Sequence, residues 1–295
     1  NCGIGNLPAI IHLVQRADEL GMDAMSAGVV VSWAMECYER GILTKEDCNG
    51  LELNFGNEDA ASALLEMIAK REGIGDLLAE GVKRASGRIG RGSARFALHV
   101  KGLEFPMHDP RFSWGHALSY STSNRGACHL SSFSHPFELS AFLPELGYDK
   151  PFPGRAAEGK ARWVIQLQHL MTVLDSLCLC KFAVLNNAVG LSTLKNWYTL
   201  VTGEEITVEG LLTMGERAFT LKRMINNRRG ITRKDDILPP RMRTLKKKGQ
   251  GFDFEVPPLF PMLSEYYELR GWTGEGRPGE ETLVRLGLKD FDFGR

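Results

Sequence analysis

The chain has 295 residues, room for two ordinary domains or one large one, and 43% hydrophobic against 24% charged residues excludes a disordered tail or a low-complexity linker. Its 36 Lys plus Arg cancel its 36 Asp plus Glu to a formal net charge of +0, so no global field draws it toward nucleic acid or an anionic membrane surface. The greasiest stretch, residues 161–191, is interrupted by Arg162, Gln166, His169, Asp175 and Lys181 and reads as a buried helical region, not a membrane span of ~18 or more apolar residues. Six cysteines, at positions 2, 37, 48, 128, 178 and 180, form no CxxC pair and no disulfide framework, so a cytoplasmic location is expected. The chain begins at Asn1 without a basic-then-apolar leader and is expected to be a segment of a longer protein.

In chain order, residues 8–20 carry Ile10, Ile11, Leu13, Val14 and Ala17 at helical spacing behind Pro8, with Gly21 as the stop. A second helix is predicted over residues 25–40, ending at Gly41. A third is predicted over 58–72, capped by Asn57, with Leu64, Leu65, Ile68 and Ala69 on its apolar face. A fourth runs from 76 to about 86. Residues 91–110 mix short apolar runs with β-branched and aromatic residues and read as a strand or extended connector, with a domain boundary near Phe96. Residues 115–135, rich in Gly, Ser, Thr, Asn and His, read as an irregular polar segment whose backbone and side chains can both face a ligand. Helices resume at 158–177 and 208–226, Pro- and Lys-rich punctuation spans 238–260, and a last helix covers about 261–269. No tandem repeat of solenoid period is present.

Two segments match each other. DELGMDAM at 18–25 and DSLCLCKF at 175–182 both follow an amphipathic helix and both read Asp, any residue, Leu, small, aliphatic, then Asp or Cys. An aspartate in the last turn of a helix opposes the negative end of the macrodipole at a cost of ~0.3–1 kcal/mol. One such residue reads as a solvated turn. Asp18 and Asp175 with matched flanks instead suggest carboxylates that accept from a planar, donor-rich ring edge such as an aminopyrimidine, with Asp23 a second acceptor. Cys178 and Cys180 read either as buried small hydrophobes or as ligands. An iron–sulfur cluster takes four thiolates, so in the second case the partners lie upstream of Asn1. Cys128-His129 reads as an ordinary loop pair or as a proton-transfer site. No HExxH, phosphate-binding GK[ST], strand-associated GxGxxG or spaced Ser/His/Asp set is present, which leaves hydrolase, zincin and nucleotide-loop readings without support. The basic run Arg241, Arg243 and Lys246 to Lys248 reads as a solvated linker, with docking of an acidic partner as the alternative.

With DELGMDAMSAG, AMECYERGIL, REGIGDLLAEG, LEFPMHDPR, HALSYSTSNRGACH, DSLCLCKF and YYELRGWTGEG in this order, essentially the whole chain resembles the aldehyde ferredoxin oxidoreductase family, tungsten enzymes with a bis-pterin cofactor beside a [4Fe–4S] cluster. The resemblance implies a mainly α fold of two helical domains: 1–96, the remainder of the second domain with the first pterin motif, and 97–295, the third domain with the second pterin motif and the last cluster cysteine. It places a first pterin motif on Asp18, Gly21, Met22 and Asp23, and a second on Asp175, Leu179 and Cys180. Cys178 stands where the motif has glycine; a side chain there adds bulk and makes φ > 0 costly, which puts the backbone at the second pterin in question. Cys180 corresponds to the fourth cluster cysteine, His129 to the histidine near the metal that assists aldehyde oxidation, and Arg125 to a partner for the cofactor's phosphates. An intersubunit metal site known in some relatives is not carried over, because His12 and Ser62 occupy its positions.

The resemblance therefore implies the C-terminal part of an enzyme that oxidises aldehydes to carboxylic acids, holding a tungsten (or molybdenum) bis-pterin and a [4Fe–4S] cluster. Its expected partners are an aldehyde, ferredoxin, an N-terminal domain of the same protein and a second copy of itself, with no nucleic acid and no membrane; the isolated segment is expected to be inactive. The alternatives are a cofactor-free remnant or separate subunit with a binding or assembly role, and a family member that reduces acids or thioesters.

Overall fold

A computed structural model describes residues 1–249 and 252–291, so the 238–260 punctuation and the end of the 97–295 domain include positions outside the described residues. Among the described residues the chain is mainly α-helical. In order, its helices are α1 (Leu7–Glu19), α2 (Ala24–Glu39), α3 (Glu58–Lys70), α4 (Ile74–Leu78), α5 (Gly81–Ile89), α6 (Trp114–Thr122), α7 (Ser134–Leu139), α8 (Lys160–Ser176), α9 (Leu191–Thr202), α10 (Val208–Arg228), α11 (Pro240–Thr244), α12 (Leu259–Leu269) and α13 (Glu280–Arg285). Strand pairing is confined to two small antiparallel hairpins, β1 (His99–Val100) with β2 (Leu103–Glu104) and β3 (Lys247–Gly249) with β4 (Phe252–Phe254). None of these helices is long and apolar enough to cross a membrane.

The chain forms two compact units. The first is Asn1–Met107 with Arg125–Ala127 and Leu238–Arg241; the second is His108–Asn124 with Cys128–Ile237 and the residues from Met242 on. Phe96 therefore lies inside the first unit.

The first unit is organised around α2, which buries eight side chains, Trp33, Met35 and Cys37 among them. Leu64, Leu65 and Ile68 of α3, Leu78 and Val82 complete the same core. Local chemistry sets the helix starts: Pro8 opens α1, the Asp23 carboxylate accepts from Ser26 N at 2.7 Å, and Asn57 Oδ1 accepts from Ala60 N at 3.0 Å. The single helix expected from 76 to 86 is instead α4 and α5. The break falls at Gly81, whose φ is +77° and whose backbone packs beneath the Glu104 carboxylate, which accepts from Val82 N at 3.0 Å. Part of the basic run is not a solvated linker: Arg241 forks onto the Glu36 carboxylate, with Nη1 at 3.1 Å from Oε2.

The second unit is built on α8, whose buried residues run from Lys160 to Leu174 and meet α10, α12 and α6. Gly215 of α10 permits a close approach, because a Cβ there would lie 2.2 Å from His169 O of α8. Two ion pairs are sealed inside this unit, Lys160 with Glu138 and Arg223 with Asp236, all four side chains at 0–1% exposure. Part of the expected irregular segment is in fact α6, buried from Gly115 to Thr122. Ser121 and Thr122 tolerate burial by donating back to Ala117 O (3.0 Å) and Leu118 O (2.8 Å), and Ser113 caps the helix at His116 N (3.2 Å). Of the remaining lysines of the basic run, Lys246 precedes β3 and pairs with Glu255 at 2.6 Å, while Lys247 and Lys248 lie on β3, Lys247 at 3.5 Å from Asp109.

Candidate functional site

Asp18 and Asp175 occupy the last turns of α1 and α8, and both helices end in the same hydrogen-bonded turn. At the end of α1, Leu20 N donates to Arg16 O (3.0 Å), Gly21 N to Asp18 O (3.0 Å) and Met22 N to Ala17 O (2.9 Å). At the end of α8, Leu177 N donates to Val173 O (2.9 Å), Cys178 N to Asp175 O (3.3 Å) and Leu179 N to Leu174 O (2.9 Å). This pattern needs a left-handed residue at its fifth position, and Gly21 has φ +71° while Cys178 has φ +55°. The cysteine therefore keeps the backbone of a glycine, at a conformational cost of ~1–2 kcal/mol.

The side chains around the two turns differ. In the first unit Asp18 and Asp23 are exposed, Asp23 caps α2 through one oxygen, and Met22 packs against the core. Ala17, Ala24 and Met25, which flank this turn, line an apolar groove of about 500 Å³ together with Ile10, Leu13 and Val14. In the second unit Asp175 is 51% exposed and lies 3.0 Å from Lys181 Nζ. Lys181 also donates to Leu130 O at 2.9 Å, which ties this helix end to the loop that carries His129. Ser176 and Leu177 line a groove of about 410 Å³. Leu179 is half-buried, and Cys178 and Cys180 are exposed, which overturns their reading as buried small hydrophobes.

Arg125 is exposed, on a loop whose Gly126 (φ +108°) comes so close to β1 that a Cβ would sit 2.1 Å from Val100 O. Only glycine fits that approach, which accounts for the Gly within NRGACH.

His129 is half-buried and belongs to a cluster that sequence reasoning did not assemble. Ring centroids of His129 and His108 lie 5.1 Å apart, those of His108 and His135 are stacked at 4.1 Å, and those of His135 and His116 are edge to face at 4.9 Å. Tyr120, one helical turn after His116 on α6, meets that imidazole at 5.1 Å and donates to His108 O at 3.1 Å. Ser134 Oγ lies 2.6 Å from His116 Nδ1. Burial pushes His116 well below the ordinary histidine range, with the neighbouring imidazoles adding to the effect. Burial, reinforced by His108 and His129, holds His135 down at about 4, and burial also lowers His108. These three rings are neutral at pH 7, each with one ring nitrogen able to accept a proton. The available signal was the i, i+4 spacing of His116 and Tyr120, hidden because their segment reads as irregular. Among the described residues no group of three or more His, Cys, Asp or Glu side chains converges to hold a metal ion.

Each of the two units thus ends a helix in an acidic, left-handed turn, and the second of these turns is tied to the loop that carries His129. A family model described as "Aldehyde ferredoxin oxidoreductase, domains 2 & 3" matches residues 1–288, and the chain belongs to that family. It is 36% identical over 296 residues to a tungsten-containing aldehyde ferredoxin oxidoreductase of Pyrococcus abyssi, covering 99% of this chain and 47% of the relative. It is 33% identical over 302 residues to the aliphatic sulfonate oxidoreductase, WOR-like subunit, of Pyrococcus furiosus, covering 98% of this chain and 44% of that one. Among solved structures it superposes on the active site complex BamBC of benzoyl coenzyme A reductase in complex with 1,5 dienoyl-CoA. The TM-score is 0.74 at 25% identity, covering 95% of this chain and 46% of that chain. The chain spans about half the length of the curated relatives it matches.

Proposed function

We propose that this chain is the C-terminal part of a tungstopterin, iron–sulfur oxidoreductase that oxidises aldehydes to carboxylic acids and passes the electrons to ferredoxin. The observation that carries the reading is the repeated acidic turn: two carboxylates, Asp18 and Asp175, at equivalent positions of helix ends that share one hydrogen-bond pattern and a left-handed residue. The residues fit such a cofactor. Exposed carboxylates can accept from the N–H edge of a pterin ring, and Cys180 offers an exposed thiol. When bound, the tungsten centre and cluster supply a two-electron acceptor and a one-electron exit.

Asp18 and Asp23 would accept from one pterin, with Met22 anchoring the turn in the core, and Asp175 and Leu179 would line the other. Arg125 pairs with the cofactor's phosphates. Cys180 contributes one cluster thiolate, and three more must come from outside this chain. Conversion of an aldehyde and water to an acid releases two electrons and two protons, and His129 is the proton acceptor beside the substrate. The left-handed turn at Cys178 favours this reading over a cofactor-free binding subunit, since it preserves the backbone that the second motif requires.

Metal and pterin analysis of the full-length protein, followed by two substitutions, tests the proposal. His129→Ala is expected to lower turnover by about 100-fold or more with tungsten retained, and Cys180→Ala to lower iron content. A full-length protein without tungsten and pterin refutes the assignment.

A further inference from the structure

The proposed chemistry uses one imidazole, yet the fold gathers four of the chain's seven histidines into a continuous row, His129, His108, His135 and His116. The row runs from half-buried rings inward to His116, which is fully buried. His116 is held through Nδ1 by Ser134, while its Nε2 and the Nδ1 of His135 are buried without a hydrogen-bond partner. Buried polar atoms are mostly satisfied in native proteins, and an ordered water or a catalytic role accounts for exceptions of this kind. The outer members, His108, His129 and His135, all retain contact with solvent.

We propose that His108 and His135 extend His129 into a proton path that connects the substrate side of the site with bulk water. The inference rests on the assignment of His129 as proton acceptor. Each imidazole takes up a proton at one ring nitrogen and releases one from the other, so every ring returns to neutrality and no charge accumulates along the row. Successive ring centroids lie 4.1–5.1 Å apart, near enough that a water at the shared rim of two rings would bond to both. Both protons released in aldehyde oxidation would leave by this route one after the other, each ring regaining its starting tautomer between transfers, and the electron pair would go to the bound cofactor. His116, with its Nδ1 occupied by Ser134 and its ring sealed from solvent, is a positioning residue that closes the inner end. The neutral state of His135 at pH 7 keeps one of its nitrogens available as an acceptor.

The test uses the full-length, tungsten-loaded protein with His108→Phe, His135→Phe and His129→Ala. Each of the two Phe variants is expected to lower turnover by about tenfold or more, to enlarge the solvent deuterium isotope effect, to retain parental tungsten and iron, and to recover activity when imidazole is added to the buffer. A readout independent of turnover is deuterium exchange at the histidine C2 position, followed by mass spectrometry. His108 and His135 should exchange with water while His116 is protected. Turnover within about twofold of the parent in both Phe variants, a loss that imidazole does not relieve, or exchange at His108 and His135 as slow as at His116 overturns the path. If His129→Ala slows turnover and the Phe variants do not, the path alone fails. If His129→Ala has no effect, the underlying assignment of His129 fails.

Discussion

Gly21 and Cys178 hold the same backbone turn: each has positive φ, +71° and +55°, and each donates its N–H to the carbonyl of the aspartate three residues before it. One position is filled by the residue made for this conformation, the other by a residue that disfavours it. Nothing lies within 4 Å of a Cβ built on Gly21, so the difference between them is conformational and not steric. Cys178→Gly is therefore expected to raise stability by ~1 kcal/mol, and Gly21→Cys to lower it by a similar amount, both read from the denaturant midpoint. A Cys178→Gly variant less stable than the parent contradicts this account of the turn.

The histidine cluster makes stability depend on pH in a definite direction. His135 is held at about 4 in the folded protein against an ordinary 6.5, so the unfolded chain binds more protons between these values. Its contribution is complete above pH 6.5 and is lost as pH falls toward 4; buried His116 and His169, both lowered, act in the same sense. Urea midpoints should fall between about pH 7 and pH 5, and His135→Phe should flatten that slope. A midpoint that rises on acidification through this window argues against the neutral cluster.

Lys160 and Glu138 are sealed together, and Lys160 Nζ also donates to Pro153 O at 2.7 Å and Gly154 O at 3.2 Å. Burial raises the Glu138 carboxyl and lowers the Lys160 ammonium, with each partner opposing the other's shift. Lys160→Met leaves the carboxyl buried without its cation and should cost ~3–5 kcal/mol. Adding Glu138→Gln should recover a substantial part of that loss. A double variant as unstable as the single one shows that the cost comes from the carbonyl contacts, not the charge.

At the crossing of α8 and α10, Gly215 leaves no room for a methyl group, since the added carbon would meet His169 O at 2.2 Å. Gly215→Ala is expected to destabilise by ~1–3 kcal/mol even though alanine is the better helix former. A stabilised variant, measured by thermal unfolding, indicates that the two helices can separate freely.

Much of the helical framework is legible in the sequence. Pro8, the apolar face of residues 58–72, the Asn57 cap and the long stretches 158–177 and 208–226 announce α1, α3, α8 and α10, because helix starts, stops and amphipathic faces depend on residues within a turn or two of one another. The paired acidic ends were legible for the same reason: a cap is a local object. The single helix expected at 76–86 gives way to two because the backbone at its break, Gly81 and Val82, meets Glu104, more than twenty residues later in the chain.

What the sequence by itself determined is thus the helical class, the two acidic turns and the family motifs, all carried by short-range patterns. Only the tertiary structure decided that α6 is a helix, since its Ser- and Thr-rich residues gain that form from burial and not from intrinsic propensity. It alone also brought His108, His116 and His135 to His129, through packing among α6, the loop after it and α7. The physical reason is range: propensity and capping act between neighbours in the chain, whereas a cluster of side chains is defined by which distant segments exclude water together.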